Sequence, residues 1–189
     1  MRITAGIYKG RTIRTSEGPG YRPATAKVRE ALFSMLEARG VAWSETRVLD
    51  LFAGSGSLAF EALSRGAQHA TMVELSRSAA RTIEKTVADL GIEPGVAVVE
   101  CVDIFPWLGK GPGRRAQFDL VFVDPPYGEN LTGRALGALD RKGWLAPGAI
   151  VVAEIEKNAV VPRAGDAYAL DVDRTYGQTR IVLWNRAST

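Results

Sequence analysis

The sequence holds one cysteine and one histidine in 189 residues. A single Cys101 rules out an internal disulfide. A zinc centre built from Cys and His needs more ligands than these two residues supply. A hydrolytic triad needs a well-placed histidine, whereas His69 stands just ahead of a predicted strand and reads as a loop residue. Cys101 lies in an apolar run and reads as a buried strand residue. No uninterrupted apolar stretch approaches membrane-spanning length. Met1-Arg2-Ile3-Thr4 lacks the apolar region of a signal peptide. Internal repeats and low-complexity tracts are absent as well. These absences leave a cytoplasmic protein without a structural metal, 46% hydrophobic and 24% charged, of ordinary globular composition.

Positive charge is concentrated at one end. Residues 1–29 hold seven Lys/Arg against one Glu, whereas residues 30–189 hold 17 Lys/Arg against 20 Asp/Glu. A basic segment on a mildly acidic body points to a polyanionic partner. Within it, Ile3, Ala5, Ile7 and Ile13 alternate weakly about Lys9-Gly10, which reads as a β-hairpin carrying Arg2, Lys9, Arg11 and Arg14 beside Tyr8. Residues 16–24 are rich in Gly and Pro and form a linker or loop. Thr25 then fits an N-cap, and Val28, Ala31, Leu32, Met35 and Leu36 recur at helical spacing. Arg22, Lys27 and Arg29 cluster at this helix start, where cations oppose the helix dipole and an anion would relieve them.

From residue 47 onward, strands alternate with helices. Strands are expected at 47–52, 70–74, 96–102, 118–123 and 149–154. Helices are expected at 58–65 before Gly66, along the Ala79, Ala80, Ile83, Val87 and Leu90 face before Gly91, and at 131–141. A closing hairpin pairs 168–174 with 179–184 around Tyr176-Gly177. The pattern predicts an α/β fold with a Rossmann-like, doubly wound and mostly parallel sheet, one antiparallel strand in the C-terminal hairpin, and a small N-terminal hairpin extension. The boundaries are 1–20 for the extension and 21–189 for the main domain.

Two stretches carry chemistry. Gly54-Ser-Gly56-Ser-Leu-Ala59 matches a glycine-rich nucleotide loop, and Glu74 ends the next strand where a ribose ligand belongs. This arrangement serves NAD and S-adenosylmethionine alike. Asp50 favours the latter, since a carboxylate repels pyrophosphate and suits a methionyl ammonium. Asp103, ending the third strand, can accept from an adenine amine. The competing reading of both acids is loop capping. The second stretch is Phe118-Asp-Leu-Val-Phe-Val-Asp124-Pro125-Pro126-Tyr127. Two prolines halt a buried strand, leaving the Asp124 carboxylate and Pro125 carbonyl as adjacent acceptors for an –NH2 group. Tyr127 offers a face on which a base stacks. The competing reading is a strand that ends in a Pro-Pro turn.

Asp50-Leu-Phe-Ala-Gly-Ser-Gly56 with Asp124-Pro-Pro-Tyr127 resembles the class I amino-methyltransferases. Arg22-Pro-Ala-Thr25, Val28-Arg29-Glu30, Leu32-Phe33, the Ala5-Gly6…Lys9-Gly10-Arg11 hairpin and Tyr176-Gly-Gln-Thr179 resemble, more narrowly, the bacterial RsmD family. The resemblance implies transfer of a methyl group from S-adenosyl-L-methionine to the N2 amine of a guanine, position 966, in 16S ribosomal RNA. It implies catalytic roles for Asp124, Pro125 and Tyr127. It implies a cofactor site of Asp50, Phe52, Ala53, Gly54, Gly56, Glu74 and Asp103, and no metal. The basic residues Arg2, Lys9, Arg11, Arg14, Arg22 and Arg29 are expected on the RNA. The partner is the small ribosomal subunit or an assembly intermediate, met by a monomer without a membrane. Other readings stay open: methylation of adenine N6 or of another RNA or DNA base amine, a non-catalytic RNA-binding module with a relic cofactor pocket, or an NAD oxidoreductase.

Overall fold

Apolar side chains alternate along the strands and so point to two faces of one sheet. The computed structural model describes residues 1–15, 26–113, 117–126, 130–162 and 165–187. Its elements are α1 (Ala26–Ala38), a 3₁₀ turn (Trp43–Glu45), β1 (Arg47–Leu51), α2 (Ser57–Ser64), β2 (His69–Glu74), α3 (Arg77–Leu90), β3 (Ala97–Cys101), α4 (Ile104–Gly109), β4 (Phe118–Val123), α5 (Leu131–Arg141), β5 (Leu145–Glu156), β6 (Tyr168–Tyr176) and β7 (Thr179–Arg186). The sheet order is β3-β2-β1-β4-β5-β7-β6. Strands β1 to β5 run parallel, and β7 pairs antiparallel with both β5 and β6. This is the expected α/β sheet. The chain leaves β1 toward β2 and β3, then crosses back to β4 on the other side. The crevice between β1 and β4 is therefore the switch point at which such sheets bind ligands.

One face carries Val48, Met72, Leu120, Phe122 and Val152 against α1, α2 and α3. The other carries Leu49, Leu51, Val121, Val123 and Val151 against α4 and α5. There Trp144 stacks on Trp107 at 4.3 Å and donates its indole N–H to the Leu108 carbonyl at 2.9 Å. Helix α3 begins at an N-cap, with Ser76 Oγ accepting from Ala79 N, and ends at left-handed Gly91. No helix among the described residues is long and apolar enough to cross a membrane.

The N-terminal segment departs from a free hairpin. A short antiparallel ladder is present, with Ile3 N donating to Arg11 O at 3.0 Å and Ile13 N to Met1 O at 2.8 Å. Ile3 and Ile13 are 2% and 0% exposed and belong to the core under α1 and α2. The loop between them folds onto α2, with Ile7 N bonded to Ser64 O at 2.7 Å and Tyr8 N to Ser64 Oγ at 2.9 Å. Gly6, at φ +80°, sits so close that an added Cβ would lie 1.8 Å from the Ser64 carbonyl oxygen. The segment is pinned to the body, because two isoleucines and a row of backbone donors find partners there.

Other expectations change as well. Helix α4 was not foreseen: it is six residues long, contains Pro106 and directly follows a strand. Strand β5 starts at Leu145 rather than Ala149, taking in Pro147 and Gly148 through a register shift opposite β4. Cys101 is exposed, not buried, because β3 is an edge strand. His69 opens β2 instead of lying in a loop, its ring nitrogens placed on Gly95 O and Thr71 Oγ1.

Candidate active site

Four carboxyl side chains gather at the carboxyl edge of the sheet. Asp50, Glu74, Asp124 and Glu154 share the parity of Val48, Met72, Phe122 and Val152, so all four leave the sheet on the face of α1, α2 and α3.

The loop after β1 is held open by backbone geometry. Phe52 has φ 61°, the one positive value among non-glycine residues in the described part of the chain. Such a conformation persists only where the surroundings enforce it, and it is commonest at functional sites. Ala53 N donates to Val73 O at 3.0 Å, and Gly56 N to Ala53 O at 2.7 Å. Gly56 has φ +72°, and a Cβ there would come within 2.9 Å of Met72 Sδ and of the Phe60 ring. Glu74 reaches back from β2: its Oε2 accepts from Gly54 N at 2.8 Å and its Oε1 from Ser76 N at 2.7 Å. One side chain thus ties the glycine loop to the end of the neighbouring strand.

Asp50 lies beneath this loop. It is 2% exposed, and its Oδ2 accepts from Ala59 N at 3.3 Å in the first turns of α2. Burial, against the bond from Ala59 and with the Glu74 charge adding, pushes its carboxyl up to about 8. The sequence reading sets Asp50 against a ligand ammonium; in the structure its carboxyl accepts from the amide of Ala59, the third residue of α2. Asp103 is exposed, and its Oδ1 accepts from Phe105 N at 2.9 Å, capping α4. The capping reading of both acids therefore has a structural counterpart, and at Asp103 it leaves the carboxylate facing solvent.

Asp124 follows β4 directly, beside Phe52 across the switch point. Burial pushes its carboxyl well above the ordinary range, and the Glu154 and Asp50 charges push the same way. Pro125 is buried and Pro126 exposed. Tyr127, Arg22 and Thr25 lie outside the described residues. Asp124 and Glu154 line a small cavity with Val28, Arg29 and Leu32 of α1 and with Ile181 of β7. Glu154 is 8% exposed, and Thr179 Oγ1 donates to its Oε1 at 3.2 Å. Sequence reasoning passed over Glu154. The available signal was an acid of the same parity as Asp124, ending an otherwise apolar strand.

The basic residues divide. Arg29 is a correction: it is 1% exposed and cannot meet a phosphate. Its Nε donates to Glu61 Oε2 at 3.3 Å and its Nη2 to Arg2 O at 2.7 Å. Glu61, equally unforeseen as a key residue, also accepts from Thr4, Ala5 and Arg65. Arg2, Lys9, Arg11 and Arg14 are exposed. Arg14 pairs with Asp89 at 2.6 Å, and Arg11 donates to the Asp89 carbonyl at 2.5 Å. Asp89 lies at the end of α3, which returns to the sheet edge opposite Asp124. At the C-terminal hairpin, Arg180 is held by Asp173 at 2.5 Å and by Ala159 O at 3.1 Å.

A family model described as conserved hypothetical protein 95 matches residues 1–185. Ribosomal RNA small subunit methyltransferase D of Escherichia coli strain K12 is 34% identical over 186 residues, covering 98% of this chain and 90% of that protein. The Haemophilus influenzae protein of the same name is 37% identical over 158 residues, covering 84% of this chain and 80% of its own. Among solved structures, the putative methyltransferase yhhF from Escherichia coli superposes with a TM-score of 0.87 at 32% identity, covering 100% of this chain and 99% of that one. SMU.776, a putative methyltransferase complexed with SAH, shares the fold at 14% identity and a TM-score of 0.66, covering 88% of this chain and 50% of that one.

Proposed function

Because the chain belongs to the family of the ribosomal RNA small subunit methyltransferases D, we propose that it methylates the exocyclic N2 amine of a guanine in 16S ribosomal RNA. The observation that carries this reading is Asp124-Pro125 at the carboxyl end of β4, beside the glycine loop across the switch point. The substrate is the RNA of the small subunit or of an assembly intermediate, met by a cytoplasmic monomer.

The residues around the loop fit S-adenosylmethionine. The acids beside the loop, Glu74 and Asp50, with Asp103 at the end of β3, suit hydroxyls and amines and oppose phosphates. Gly54 and Gly56 keep the loop backbone free of side chains, and Glu74, at the end of β2, stands where ribose hydroxyls would be held. The cofactor supplies the methyl group as a sulfonium electrophile.

The protein then has to prepare the amine. A guanine N2 is a weak nucleophile, because its lone pair is delocalised into the ring. The target base leaves its stack to reach the cleft, and Tyr127 supplies a stacking face. The Asp124 carboxylate and the Pro125 carbonyl accept its two N–H bonds and turn them out of conjugation, freeing the lone pair for in-line attack. Orientation of this kind contributes several kcal/mol to barrier lowering. With S-adenosylmethionine held by the loop and Glu74, the sulfonium would supply its methyl to this lone pair and leave as the neutral thioether. The methylated amine is then cationic and loses a proton to the Asp124–Glu154 side of the cleft. Of the basic residues, Arg2, Lys9 and Arg22 are assigned to the flanking RNA backbone, positioning without reading sequence, whereas Arg11 and Arg14 are already held by Asp89.

The test is incubation with labelled S-adenosylmethionine and 16S RNA, free and within 30S particles, followed by mass mapping. Label on a guanine N2 is expected. Label on an adenine N6 would transfer the same clamp to another base, and cofactor binding without any transfer would leave a relic RNA-binding module.

A further inference from the structure

Glu154 is not needed to hold the amine, yet the fold retains it as a buried acid. The register Val123↔Ala153 places Asp124 and Glu154 side by side at the ends of neighbouring parallel strands. Both line the same cavity under α1. The other charged groups lining it are Asp124 on β4 and Arg29 on α1; the Asp50 charge on β1 acts on Asp124, and Arg29 is engaged with Glu61. From β7 the neighbour is the Thr179 hydroxyl, which takes Oε1. Thus no cation neutralises Glu154 from these elements. Burial pushes its carboxyl above the ordinary range, against the bond from Thr179. A buried carboxyl without a counter-charge is costly unless hydrogen bonds to it are made, and a ligand that brings a donor would make one.

We propose that Glu154 is the residue that selects guanine, its carboxyl oxygen accepting the ring N1–H while Asp124 and the Pro125 carbonyl accept the N2 amine. This rests on the amine-methylation reading above. Guanine alone among the common bases presents a ring N–H directly beside its exocyclic amine. Adenine and cytosine present a bare ring nitrogen there, an acceptor that would face another acceptor. A carboxyl accepts N1–H through oxygen in either protonation state. A site built around a hydrogen bond rejects analogues that cannot make it, because its own group is then left unpaired.

The test uses the full chain and an RNA fragment of the small subunit carrying at the target either guanine or 2-aminopurine, which keeps the amine and lacks N1–H. Wild type is expected to prefer guanine by about tenfold or more in kcat/KM. Glu154→Leu, chosen because the cavity is otherwise largely apolar, should lose most of its guanine rate and bring the ratio to within about threefold of unity. Glu154→Gln keeps an accepting oxygen and should retain the preference. Calorimetry with S-adenosylmethionine and a melting curve accompany each variant. Equal losses on both bases in Glu154→Leu, or a wild type indifferent to N1–H, would overturn the proposal while leaving amine methylation standing. A wild type inactive on guanine RNA but active on adenine RNA would overturn both.

Discussion

Two groups of carboxyls, wholly or partly buried, lie on the same face of the sheet and behave in opposite ways. Glu61 is fully buried, yet its carboxyl is held below the ordinary range. Burial pushes it up, but hydrogen bonds from Thr4 and Arg65, with the Arg65 charge, outweigh that. Arg29 adds a second buried cation. Among the described residues no such cation is bonded to Asp50, Asp124 or Glu154, and all three are pushed up. The first group is complete without a ligand and anchors residues 1–5 to α1 and α2. The second is incomplete, which is the condition of a binding site poised for donors.

The comparison breaks most sharply at Glu61. Glu61→Ala leaves the buried Arg29 uncompensated and should cost about 3–5 kcal/mol. For a domain of this size that is a fall in Tm on the order of 10 °C. A Tm within about 2 °C of wild type would show that the network is not an anchor.

Asp124→Ala should do the reverse. Transfer should fall about 100-fold or more through lost positioning, while S-adenosylmethionine affinity and Tm hold or improve. Calorimetry decides: a large loss of cofactor affinity would move Asp124 from the amine to the cofactor. Glu74→Ala should weaken cofactor binding by about 1–3 kcal/mol, with activity restored at saturating S-adenosylmethionine. Unchanged affinity would confine Glu74 to bracing Gly54.

Asp50 permits a test by pH. Its carboxyl sits near 8 in the fold against an ordinary 3.8. The native state thus keeps a proton that the unfolded chain gives up. The stabilisation is fully present below about pH 4 and is lost as pH rises through about 8. Asp50→Asn keeps an acceptor for Ala59 N and cannot ionise, so its Tm should fall less than wild type between pH 5 and 8.5. Scanning calorimetry at the two pH values checks this; parallel curves would show that Asp50 is not the group responsible.

The smallest effect is expected at the basic segment. Replacing Arg2, Lys9, Arg11 and Arg14 with Ala should flatten the salt dependence of RNA binding. Each phosphate contact contributes about 0.7–0.9 to that slope. Arg11 and Arg14 already hold Asp89, so the change should be about one to two units rather than the three or more of four free cations. An unchanged slope with an intact Tm would make this segment purely structural.

Much of this molecule follows from local pattern. Alternating apolar residues between glycine stops set the strands. Two prolines end β4 at Asp124 whatever surrounds it, since neither can donate to a ladder. The glycines of 54–56 free a loop at a helix start, and an acid ends the next strand. These features need neighbours only a few residues away, so the α/β sheet, the glycine loop and the end of β4 at Asp-Pro-Pro were legible. The fate of the charged side chains was not. Arg29 reads as a cation awaiting a phosphate, Glu61 as one polar residue in an apolar helix, and Glu154 as a strand end. Cys101 reads as core until its strand is known to be an edge. Each depends on what lies opposite it: Glu61 is 32 residues from Arg29 and 57 from Thr4, and Glu154 meets Asp124 only because β4 and β5 pair in one register. The free energy of a buried charge is set by the partners within a few ångströms, and which partners those are is decided by the tertiary structure alone.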